Sequence, residues 1–109
     1  MILAHMDLVD PLVTVILQAI RDQVGPDMPV QFVTGHTHYR GFHQLDPMSM
    51  SVEAGRFLDT VGFVSFPTLK NTTMEKEEDA GFEFWFVNAN RQSLKTTLGS
   101  QNDLFTKEG

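Results

Sequence analysis

Two short pairs, Asp10-Pro11 and Gly25-Pro26, bracket one stretch of this chain and constrain everything before residue 35. Asp is a favoured N-cap and Pro is tolerated at the first helical position, so the first pair predicts a helix start. Gly supplies a cap conformation and Pro blocks continuation, so the second pair predicts its end. Between them Leu12, Val13, Ile16, Leu17, Ile20 and Val24 recur at helical spacing and predict one apolar face. Before the helix, the apolar run Ile2-Leu3-Ala4 reads as the end of a buried strand whose beginning is absent. After it, Val30-Gln31-Phe32-Val33-Thr34 is rich in β-branched and aromatic residues and reads as a second strand, broken by Gly35. Strand, helix, strand predicts a right-handed crossover between parallel strands.

Beyond Gly35 the pattern predicts a loop over 36–47 and three strands. Residues 48–54 alternate apolar and polar, 61–66 form a compact apolar run, and 82–87 are strongly β-prone. The segment 70–81, with Glu75-Lys76-Glu77-Glu78-Asp79, reads as a solvated loop, not a functional acidic patch. The tail 88–109 is polar and reads as irregular, with one short strand at 93–97. The fold class is thus α/β, a βαβ unit followed by mostly antiparallel strands, in one small partial domain of 109 residues.

Composition removes several functional classes. A net charge of −6, from 14 acids and 8 bases, argues against a nucleic-acid polymer as partner. With no cysteine, neither a disulfide framework nor a thiolate metal site is possible. No stretch approaches the ~20 apolar residues of a membrane span, and the first five residues do not read as a signal peptide.

All four histidines, His5, His36, His38 and His43, fall in the first 43 residues. His5 follows the first strand, and His36 and His38 follow the second. Parallel neighbours end on the same edge of a sheet, the edge where open α/β sheets bind ligands. On extended backbone His36 and His38 would point the same way, about 6.5 Å apart, which suits one metal ion or a pair of ions. Imidazoles suit Zn, Fe, Mn or Co and give no reason to expect Ca. His43 reads as a surface residue. Asp7 is either a ligand or a partner for a histidine N–H, and no other carboxylate is obviously placed with the cluster. On spacing alone, metal ligation and ordinary surface histidines both stay open.

Val30-Gln31-Phe32-Val33-Thr34-Gly35-His36-Thr37-His38 resembles the Gly-His-x-His signature of calcineurin-like metallophosphoesterases, which also follows a hydrophobic strand. Ile2-Leu3-Ala4-His5-Met6 resembles that family's preceding motif, a strand ending in a metal-ligating His. Glu53-Ala54-Gly55-Arg56-Phe57-Leu58 followed by Val61-Gly62-Phe63-Val64 is similar to a segment of 5'-nucleotidase-like members, those of fungal type above all. The resemblance covers residues 2–66 and implies the C-terminal half of a metallophosphoesterase sandwich, with 67–109 as acidic loop, further strand and polar tail.

The resemblance implies that His5 and His36 ligate one divalent ion and His38 a second, the ions being Zn, Mn or Fe. It implies hydrolysis of a phosphate ester, a nucleotide above all, with Arg40 as a candidate contact to the phosphate. The family's Asp-x-His, Gly-Asp-x-x-Asp and Gly-Asn-His motifs do not occur here. The expectation is therefore a fragment, inactive alone, that needs the missing N-terminal half of the domain. Two alternatives are a non-catalytic β-rich module with weak zinc-binding histidines and an independent three-His zinc hydrolase. Asn71-Thr72-Thr73 fits an N-glycosylation acceptor, and with the resemblance it leans toward an extracytoplasmic parent.

Overall fold

The computed structural model of the chain describes residues 1–66 and 81–99. Most of the predicted acidic loop, the Asn71 triplet and the end of the polar tail lie outside these residues.

The helix forms where its two bracketing pairs place it. Helix α1 spans Pro11–Val24; the Asp10 side chain accepts from the Leu12 N–H, and the Gly25 N–H donates to the Arg21 carbonyl. Gly25 has φ 81°, a conformation its missing Cβ permits. The buried stripe is narrower than the spacing predicts. Val13 and Leu17 are buried and Ile16 and Ile20 half-buried, whereas Leu12 and Val24 are exposed.

Strands β1 (Ile2–Leu3) and β2 (Val30–Val33) flank α1 in sequence and pair in parallel, Ile2 opposite Phe32. Val13 and Leu17 pack on Val30 and Phe32, with Ile2, Met6, Met28 and Leu45 around them. This is the crossover unit that the sequence predicts. Strand β4 (Ser49–Ala54) lies parallel to β2, and β3 (Arg40–Asp46) lies antiparallel to β4, giving the order β1-β2-β4-β3. Strands β5 (Thr60–Ser65) and β6 (Glu83–Asn88) form a separate antiparallel pair. The architecture is mixed α/β, with a parallel core and antiparallel additions.

Two predicted elements are corrected. The expected loop over 36–47 contains β3, an edge strand whose residues are exposed or half-buried, so it carries little hydrophobic signal. The expected strand at 93–97 belongs instead to helix α2 (Arg91–Thr97), where Asn90 accepts from the Ser93 N–H as N-cap. A cap of this kind outweighs the β-leaning of Thr96 and Thr97.

The other end of the sheet is clamped by Arg21. Its guanidinium donates to both oxygens of Asp46, at 2.9 and 3.2 Å, and to the carbonyls of Gly25, Met28 and Met48. Burial would raise the Asp46 carboxyl; the Arg21 hydrogen bonds and charge, with the Met48 N–H, outweigh it and hold it below its ordinary value. The β5–β6 pair meets the sheet where Phe84 stacks on Phe42 at 3.6 Å. A Cβ on Gly62 would lie only 3.1 Å from that of Ala54, so β5 approaches β4 closely there. Among the described residues no helix is long and apolar enough to cross a membrane.

Candidate histidine site

Because β1 and β2 are parallel, their carboxyl ends share one edge of the sheet. Main-chain bonds carry the pairing past both strands: the Ala4 N–H donates to the Val33 carbonyl at 3.0 Å, and the Gly35 N–H to Met6 at 3.1 Å. His5 is thereby set beside Gly35, and a Cβ built there would meet the His5 Nδ1 at 3.9 Å.

His5 and His36 come together. Nε2 of His5 lies 3.2 Å from Nδ1 of His36, the rings meeting edge to face at 81° with centroids 5.0 Å apart. At that separation either one imidazole donates to the other or both nitrogens bear on one neighbouring cation. Both residues are exposed at the sheet edge.

His38 departs from the spacing argument. The spacing predicts like-pointing rings only for extended backbone over 36–38, whereas φ is 97° at His36 and 65° at His38. Alternate side chains therefore need not point alike. The His36 ring meets His5, while the His38 ring stands 6.0 Å from that of Phe57. Nor does Gly35 carry the turn: positive φ falls on the histidines, not on the glycine before them. Among the described residues, no three His, Cys, Asp or Glu side chains gather as a metal-holding group.

Glu53 is the residue that sequence reasoning missed. It is 1% exposed, yet it carries a carboxyl group. Oε2 accepts from the Thr37 hydroxyl and Oε1 from the His38 N–H, both at 2.8 Å. It lies at the end of β4, the strand between β2 and β3. Ser49 and Ser51, on the same face of the strand, are also fully buried, so that face is interior although its residue types are polar and give no signal of it.

The remaining candidates are spread around this edge. Nε and Nη2 of Arg40 donate to the Thr60 hydroxyl at 3.0 and 2.6 Å, and Nη2 also donates to Asn88 at 2.7 Å. The guanidinium thus ties β3 to the β5–β6 pair. Asp7 accepts from the Val9 N–H at 3.0 Å, and His43 is exposed on β3.

No family model matches the sequence. The crystal structure of a 5'-nucleotidase from Candida albicans matches 95% of this chain with a TM-score of 0.77, at 23% identity and over 20% of its own length. The chain has a 5'-nucleotidase-like fold. An uncharacterized protein of Saccharomyces cerevisiae is 36% identical over 73 residues, which are 67% of this chain and 12% of that protein. An uncharacterized protein of Schizosaccharomyces pombe is 36% identical over 61 residues, 56% of this chain and 10% of that protein. The chain therefore spans about a tenth of these curated relatives and a fifth of the nucleotidase whose fold it shares.

Proposed function

We propose that this chain is the histidine-bearing edge of a dinuclear metal-dependent phosphoester hydrolase acting on nucleotides, inactive without the rest of its domain. The observation that carries this reading is the 3.2 Å approach of the His5 and His36 ring nitrogens from adjacent parallel strands. Imidazoles suit divalent Zn, Mn or Fe, so the pair fits as part of a donor set and falls short of a whole one. In this reading His5 and His36 would hold one ion, and His38, two residues further along the same loop, would serve a second. Further ligands, carboxylates among them, come from outside the described residues.

The chemistry such ions supply is Lewis-acid polarisation of phosphate oxygens and activation of water at neutral pH. The residues of this chain have the supporting tasks. His5 and His36 offer ring-nitrogen lone pairs. Arg40 meets the phosphate from β3, its guanidinium steadied by Thr60 and Asn88. The 5'-nucleotidase-like fold supports a nucleotide as the ester.

The test uses the full-length gene product with Mn(II) or Zn(II), assayed on a nucleoside monophosphate and on p-nitrophenyl phosphate. Hydrolysis that falls by at least ~100-fold in His36→Ala supports the reading. A well-folded, metal-loaded protein that hydrolyses neither compound ends it.

A second reading, a non-catalytic β-rich module with weak zinc-binding histidines, draws support from the gathering of only two imidazoles among the described residues. Metal content after gentle purification separates the two. Near-stoichiometric metal in the full-length protein favours the hydrolase, and trace metal favours the module.

A further inference from the structure

We propose that Glu53 is the positioning residue of the histidine loop, its buried carboxylate holding residues 36–38 in a backbone that the chain would not otherwise keep. The proposal rests on the metal-site reading for its purpose and on the geometry alone for its mechanism.

His36 and His38 both have positive φ, at 97° and 65°. L-residues rarely hold such angles, and they persist where surrounding structure over-determines them. Glu53 supplies that restraint. It reaches the loop from β4, which β2 and β3 flank, so its own backbone is fixed on both sides. Each carboxylate oxygen takes one bond from the loop, at 2.8 Å from Thr37 and 2.8 Å from the His38 N–H. The root of the loop is tied down separately, where the Thr34 hydroxyl donates to the Val52 carbonyl at 3.0 Å.

The carboxylate is itself an unusual choice. A group 1% exposed loses nearly all its hydration, and burying an anion is costly unless hydrogen bonds replace that water. The guanidinium of Arg21 is committed to Asp46, at the far end of β4. The hydrogen bonds that Glu53 receives come from the loop it holds. Carboxylate and loop therefore satisfy each other, and neither is well placed alone.

Hydrogen-bond chemistry separates geometry from charge. In Glu53→Gln the amide oxygen still accepts from the His38 N–H, and the amide NH2 donates to the Thr37 hydroxyl, which reverses to accept. Both bonds survive and the charge is gone. In Glu53→Ala both bonds are lost, and in Thr37→Val one of them is.

The experiment compares these variants in the full-length gene product by hydrogen–deuterium exchange of peptides covering 34–40 and by calorimetric titration with Mn(II). Glu53→Ala is expected to speed exchange in 34–40 by at least ~10-fold while peptides from α1 keep their protection. It is expected to weaken Mn(II) binding by roughly 10- to 100-fold, the usual effect of losing a group that orients a ligand. Thr37→Val falls between, and Glu53→Gln stays within about threefold of the parent on both measures. If Glu53→Ala fails to fold, Thr37→Val carries the exchange test. Unchanged exchange over 34–40 in Glu53→Ala, or in Thr37→Val where that variant stands in, overturns the proposal; so does a Glu53→Gln protein as impaired as Glu53→Ala. A parent protein that takes up no Mn(II) or Zn(II) counts against the metal-site reading and leaves the exchange comparison intact.

Discussion

Among the described residues the chain enters positive φ with non-glycine residues in two places, at His36 and His38 and again at Phe57 and Leu58. The first pair lies between β2 and β3, where the His38 N–H and the hydroxyl of the intervening Thr37 donate to a buried carboxylate. The second lies between β4 and β5, with side chains 85% and 89% exposed. One backbone bond, from the Asp59 N–H to the Arg56 carbonyl at 2.9 Å, closes that turn. Positive φ at both central residues is the type I′ pattern, which favours Asn-Gly over Phe-Leu. Arg56 covers one face of Phe57 at 5.1 Å, and the ring otherwise nears His38. Strain at the histidines is anchored from the interior, whereas strain at 57–58 is held by the turn itself. The first should be inseparable from the fold, and the second should be replaceable.

The largest effect that tests this contrast comes from Phe32→Ala. Phe32 is fully buried within β2, the strand that leads to His36, and its truncation is expected to cost about 3–5 kcal/mol in denaturant unfolding. Exchange over 34–38 should rise with that loss while the 56–59 turn stays as it was; independence of 34–38 from Phe32 would break the contrast. Next comes Arg21→Ala, which removes the clamp at the opposite end of the sheet and should cost roughly 2 kcal/mol. Mn(II) affinity should change little, since Arg21 bonds to none of the histidines.

A smaller, favourable effect is expected of Phe57→Asn combined with Leu58→Gly, a gain of about 1 kcal/mol in unfolding free energy, read as a higher urea midpoint. A loss instead would show that these two side chains pack after all. The smallest effect concerns acid. The folded Asp46 carboxyl sits below its ordinary value, so its contribution is complete above the normal carboxylate range. That contribution is lost as pH falls through the lowered folded value. Asp46→Asn should flatten that part of the acid limb in a stability-against-pH series. An unaltered limb would place the acid sensitivity elsewhere in the molecule.

Much of this arrangement is legible in the sequence, for physical reasons that also explain the gaps. Asp10-Pro11 and Gly25-Pro26 act locally, so the helix ends were readable without tertiary information. Strands β2, β4, β5 and β6 carry apolar or β-branched runs that burial demands. Strand β3 runs Arg-Gly-Phe-His-Gln-Leu-Asp along an edge, where burial demands little, and so it read as loop. Glu53 looked like the solvent side of an alternating strand. Only the order β1-β2-β4-β3 reveals that β4 has a neighbour on each side. The meeting of His5 with His36 follows from parallel pairing, whereas the separate course of His38 depends on two backbone angles that spacing does not encode.

The two main-chain bonds linking residues 4–6 with 33–35 have a consequence for tolerance to substitution. They register the His5 segment against the His36 segment without using any side chain of β1. Relatives could exchange Ile2, Leu3 or Ala4 for other strand-forming residues and still present the two rings as partners. A proline at position 4 or 35 would delete an N–H from that register and let the rings drift apart, even with both histidines still in place.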